Sequence, residues 1–129
     1  MVKIGVSLQR CFLALVAVGL SAPAHAAWIT CEGNLLRLRG MIVEGDAERL
    51  AAMLKTTDPR KPRVLFLESG GGEVKASVQL AALIRKEKLV TAVDASRTHC
   101  DSGCTLAFVA GVRRHYVAGH TVFEGLSSA

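Results

Sequence analysis

Residues 35–39, Leu-Leu-Arg-Leu-Arg, partly alternate apolar and charged positions and predict an early strand. Gly40-Met41-Ile42-Val43 predicts a second short strand. Asp46, after Gly45, is placed to accept from orphan N–H groups as a helix N-cap. Glu48 in the first turn suits the helix dipole. Ala47, Leu50, Ala51 and Leu54 form the apolar face, and Asp58-Pro59 ends the segment. Val64-Leu65-Phe66-Leu67 is a continuous apolar run, so both its faces are expected to be covered, as in a parallel strand. A helix follows over 73–88, with Val74, Val78, Ala81, Ala82 and Leu83 or Ile84 as its inward stripe. Arg85, Lys86 and Lys88 suit its negative end. Residues 89–93 predict the next strand, and a polar loop over 94–99 leads to Ser102. Residues 103–110 are apolar enough for a fully buried helix, with Gly111 as its αL cap. Tyr116-Val117 and Thr121-Val122-Phe123 predict two last strands, turned by Ala118-Gly119. Alternation of this kind argues an α/β fold with right-handed crossovers.

The ends change the bookkeeping. Lys3 and Arg10 precede and flank a ten-residue apolar core, Cys11 to Leu20, and Ala24-His25-Ala26 fits the small-x-small cleavage rule, so 1–26 reads as a signal peptide. The apolar run is too short to span a bilayer. The expected mature chain, 27–129, is one domain of 103 residues, periplasmic or secreted, with no membrane attachment once the signal is cut. Removing Lys3 and Arg10 leaves 14 basic residues against 11 acidic, a net of +3. No basic patch interleaved with aromatics appears, which argues against nucleic acid as a partner. Arg60-Lys61-Pro62-Arg63 reads as a solvated turn.

Cys31, Cys100 and Cys104 remain after cleavage, and an odd number in an oxidising compartment predicts a free thiol or an intermolecular bond. Cys100 and Cys104, four apart at a loop-to-helix step, either form a disulfide or pack the turn as small buried residues. The spacing lacks the paired ligands of a metal site, and no cofactor is expected.

Two segments carry candidate chemistry: Leu67-Glu68-Ser69-Gly70-Gly71-Gly72-Glu73-Val74 and Cys100-Asp101-Ser102-Gly103-Cys104. Each sits where a strand hands over to a helix. N–H groups at a helix start are unpaired and partly positive, and glycine lets them approach a substrate closely. Gly72 and Gly103 are the N–H groups nominated for an oxyanion hole, and Ser102 the nucleophile, whose hydroxyl needs a base to take its proton. The bland alternatives are a tight turn at the glycines and an N-cap at Ser102. Neither the Walker nor the dinucleotide pattern is met.

At these residues the chain resembles the Clp-protease/crotonase superfamily, closest to the periplasmic proteins related to the Clp protease proteolytic subunit. The family's strand–Ser-Pro-Gly-Gly-x-Val–helix is similar to Ser69-Gly70-Gly71-Gly72-Glu73-Val74, with Gly70 where Pro is usual. The Cys-Ala-Ser-Ala-Cys of the periplasmic branch is similar to Cys100-Asp101-Ser102-Gly103-Cys104. Thr105-Leu106-Ala107-Phe108-Val109-Ala110-Gly111, Val112-Arg113-Arg114 and Val117-Ala118-Gly119 continue the match, which runs from about Gly40 to Phe123. The resemblance implies an α/β fold of ClpP/crotonase-like repeated β-β-α units, with Ser102 as nucleophile and the Gly72 and Gly103 N–H groups as oxyanion hole.

The chain also departs from the family. The family's His falls near Glu124 or Gly125, where none stands, and its Asp falls past Ala129. Related signal-peptide peptidases use a downstream Lys, but the last lysine here is Lys88. His99, His115 and His120 are the substitute bases within reach along the chain. The tail from Phe123 stops looking like the family, so the domain is expected to be incomplete at the C-terminus, truncated or degenerate. Two functions follow. One is an exported serine hydrolase of peptidase type, acting on peptides or proteins. The other is a non-catalytic periplasmic peptide-binding or assembly module, a pseudoenzyme or truncated product. A partial fold of this kind should expose apolar surface and sheet edge, which predicts a homo-oligomer.

Overall fold

Five-residue strands build most of the sheet: β1 (Trp28–Glu32), β2 (Leu35–Arg39), β3 (Val64–Glu68) and β4 (Val90–Asp94), followed by β5 (Arg113–Ala118) and β6 (Thr121–Gly125). The computed structural model describes residues 26–118 and 121–125. The segment up to residue 25, where a signal peptide is expected, His120, the Gly119 end of the last turn and the tail beyond Gly125 lie outside the described residues. Three helices lie between the strands: α1 (Asp46–Leu54), α2 (Val74–Lys86) and α3 (Gly103–Ala110). The protein is therefore mixed α/β.

The sheet order is β1-β2-β3-β4-β5-β6. β2, β3, β4 and β5 run parallel, and antiparallel β1 and β6 close the two edges. Each parallel step in the same direction puts its crossover helix on the same face, given a constant hand. Registers place Leu36 beside Leu65 and Leu38 beside Leu67, all fully buried under the helices together with Leu50, Leu80 and Ile84. On the opposite face Arg37 lies 5.0 Å over the Phe66 ring, a cation–π pair. The run 64–67 is thus buried on alternate positions, with Val64 and Phe66 only half-buried.

Several local expectations are corrected. Residues 40–43 are not a strand: Ile42 makes a single parallel bridge to Gly72, because Gly40 (φ 105°) and Gly45 (φ 94°) turn the chain away on either side. Gly45, not Asp46, is the N-cap of α1. The Asp46 carboxylate accepts the Val43 N–H at 2.8 Å and pairs with Arg49, and both side chains are buried. The inner face of α1 is consequently Leu50, Met53 and Leu54 around that ion pair, with Ala47 and Ala51 half-buried. Burial holds the Arg49 guanidinium below its ordinary value, and Arg49 donates to the Ala27 carbonyl at 2.9 Å.

The α2 stripe is rotated from the predicted one. Ala76, Ser77, Leu80 and Ile84 face inward, whereas Val74 (75% exposed) and Val78 (52%) face out. The inner face is chosen by the close approach of α3, which admits Ala and Ser but not Val. α3 is not fully buried: only Gly103, Cys104 and Ala107 are, and Leu106 and Val109 are exposed. Gly111 has φ −58°, so it is not an αL cap; a Cβ there would collide with the Thr91 hydroxyl, which donates to the Phe108 carbonyl at 2.7 Å. Cys100 and Cys104 form a disulfide with Cα atoms 5.2 Å apart. None of the described cysteines is free. Of the two outcomes expected from three cysteines, a free thiol or an intermolecular bond, the first is therefore corrected; Cys31 is buried on the inner face of β1.

Candidate active site

The carboxyl ends of β3 and β4 deliver the two motif turns to one edge of the sheet. There the turns are joined backbone to backbone. Ser69 N–H donates to the His99 carbonyl at 3.0 Å, and Asp101 N–H donates to the Ser69 carbonyl at 3.0 Å, a one-residue parallel bridge between Ser69 and Cys100. On its other side the glycine turn bonds to the 40–43 segment: Ile42 N–H donates to Gly71 O at 2.8 Å, and Glu73 N–H to Ile42 O at 2.9 Å. The buried Ser69 hydroxyl accepts the Gly71 N–H at 3.0 Å and donates to the Gly71 carbonyl at 3.2 Å.

Two glycines of this turn are needed as glycine. Gly71 has φ 102°, and a Cβ there would sit 2.8 Å from Ser102 Cβ and 2.9 Å from Gly103 N. Gly72 has φ 155°, and a Cβ there would run into the Ile42 backbone. A side chain at either position strains the backbone or pushes the turns apart.

Ser102 stands at the N-cap of α3, but its hydroxyl makes no capping bond. Its backbone is at φ 50°, ψ −124°, a region that a non-glycine residue enters only when its surroundings impose it, at about 1–3 kcal/mol. The capping is done by carbonyls: Asp101 O accepts the Cys104 N–H at 3.0 Å, and Ser102 O accepts the Thr105 N–H at 2.9 Å. Asp101 therefore serves the helix start through its backbone, while its side chain is exposed. The Ser102 side chain is itself exposed. A strained turn that leads from a strand into a helix is one way proteins present a serine hydroxyl to substrate.

The backbones of Gly72 and Gly103 approach one another closely. A Cβ built on Gly103 would lie 3.7 Å from the Gly72 nitrogen. Neither N–H donates to a group of the described residues. Chemically, two unpaired N–H groups next to an exposed serine can donate to an anionic oxygen.

Among the described residues no base, and no other side chain, is hydrogen-bonded to the Ser102 hydroxyl. The exposed His99 ring lies beside the glycine turn, with Nε2 3.7 Å from where a Cβ on Gly70 would be. His115 sits in mid-strand on β5, opposite Ala92 and away from the carboxyl edge. His120 is outside the described residues. Sequence reasoning missed Ser77, a fully buried side chain of α2 against which the Gly103 backbone packs; its only signal was a small polar residue inside an apolar helix. No group of three or more metal-ligating side chains occurs among the described residues, and no described helix is long and apolar enough to cross a membrane. The chain matches no known family description, no curated protein and no solved structure.

Proposed function

We propose that the protein is an exported serine hydrolase of the Clp-protease/crotonase type, performing acyl transfer on peptides or proteins. Ser102 is the nucleophile and the Gly72 and Gly103 N–H groups receive the oxyanion. The observation that carries this reading is the strained Ser102 backbone, whose hydroxyl is exposed and spared from capping the helix it precedes. Two small bridges between strand and helix, Ile42 with Gly72 and Ser69 with Cys100, support the β-β-α repeat of that superfamily, with the second strand of each unit reduced to one residue. The Cys100–Cys104 disulfide supports a periplasmic or secreted location, since such bonds persist in oxidising compartments. Exposed Val74, Val78, Leu106 and Val109 on α2 and α3 support assembly of the chain with copies of itself.

A non-catalytic peptide-binding or assembly module is the second reading, favoured by the absence of a hydrogen-bonded base at Ser102 among the described residues. A fluorophosphonate probe separates the two. The hydrolase reading expects covalent labelling of the protein that disappears in Ser102→Ala. A folded protein that takes no label is the binding module.

A further inference from the structure

The Cys100–Cys104 disulfide closes a small loop whose central residue is Ser102. Its two halves have different surroundings. Cys104 is fully buried in the core beside Ala107, while Cys100 is half-buried at the rim. The loop between them holds the only non-glycine residue besides Lys88 with positive φ among the described residues. Around Ser102 the backbone is held by the Ser69 bridge on one side and by the first turn of α3 on the other. Besides the main chain itself, the disulfide is the covalent tie between those two anchors.

We propose that this disulfide is a thiol–disulfide exchange site, through which an external dithiol reductant releases the turn that presents Ser102. A thiolate of the dithiol attacks Cys100 Sγ, the sulfur nearer solvent, and the Cys100–Cys104 bond breaks. Cys104 leaves as thiolate and takes a proton from water. The second thiol of the reductant then displaces Cys100, so the protein gains two electrons and two protons while the dithiol becomes a disulfide. Without the tie, the cost of holding Ser102 at φ 50° falls on hydrogen bonds alone, and the turn relaxes toward an ordinary N-cap conformation.

The site itself stands on the disulfide and the backbone around it; its effect on labelling rests on the hydrolase reading. The test is amide hydrogen exchange read by mass spectrometry, before and after dithiothreitol treatment, with reduction verified by alkylation of the peptide that carries both cysteines. Cys100→Ala, which leaves the core residue Cys104 in place, is the second sample. The proposal expects exchange over residues 100–105 to rise about tenfold or more in both samples, with β3 and α2 unchanged. Unchanged exchange at 100–105 after complete reduction overturns it. So does loosening of the whole sheet in Cys100→Ala, where the bond at Cys31 is intact, which would make the Cys100–Cys104 bond a general staple. So does resistance of the bond to the dithiol in the folded protein. Fluorophosphonate labelling run alongside should fall with reduction; absence of label in the oxidised protein sinks the hydrolase reading and leaves the exchange result standing.

Discussion

The backbone of Gly103 rests on the side chain of Ser77, whose hydroxyl donates to the Glu73 carbonyl at 2.9 Å. A Cβ on Gly103 would strike Ser77 Oγ and stand 2.9 Å from Ser77 Cβ. The start of α3 and the second turn of α2 are thus in direct contact, and this contact sets how close the two N–H groups lie.

Gly103→Ala should therefore destabilise the protein by about 1–3 kcal/mol through overpacking. In a Ser77→Ala background the same change should cost less, because the oxygen in the way has gone. Urea denaturation of the four proteins of this cycle gives the coupling. Full additivity would mean that the two helices do not meet here.

The ion pair of Asp46 and Arg49 makes a second prediction. Both side chains are buried, 0% and 8% exposed. Arg49→Met strands a charged carboxylate in the core and should cost about 3–5 kcal/mol. Asp46→Asn together with Arg49→Met should recover part of that loss. It should not recover all, because the Arg49 bond to the Ala27 carbonyl is lost in both. Thermal unfolding of the single and double variants reads this directly.

Acid dependence should appear at the turn before β3. The Arg60 side chain, and then its N–H, hydrogen-bond the Asp58 carboxylate and hold it below the ordinary carboxylate range. A depressed folded value means that the contribution is present above the unfolded value, about 3.9, and is lost as pH falls through the folded one. Asp58→Asn should thus be less stable than the parent at neutral pH, and the gap should begin to close as pH falls below about 4. Denaturant midpoints across that range would reject the account if the gap stayed constant. The pair lies at the surface, with Asp58 28% and Arg60 87% exposed, so the gap should be small and should shrink with added salt.

Strand and helix order was legible because apolar runs such as Val64-Leu65-Phe66-Leu67 survive almost any error of detail. β1 was not foreseen. Its sequence, Trp-Ile-Thr-Cys-Glu, does alternate, but Trp28 is 76% exposed and the buried members are Ile29 and Cys31, so the largest apolar residue points the wrong way for a simple reading. α2 was misread for the same reason: hydrophobicity favoured Val74 and Val78, while packing against Gly103 demanded a small residue at position 77. At the site, spacing alone could nominate Ser102 and the glycines. It could not tell a capping serine from an uncapped one, since that difference lives in φ and ψ and not in residue type.

The strictly sequential sheet order also bears on how the chain acquires its shape. Emerging amino-terminus first from a ribosome, each new strand finds its neighbour already in place, because that neighbour was made immediately before it. No strand has to wait for a distant partner or insert between two others. The glycine turn after β3 precedes the serine turn after β4 by some thirty residues, and its partner Ile42 lies earlier still, so the first half of the site has its docking contact without the second. A sheet of this order can grow by one-directional addition, each strand laid on the one before it.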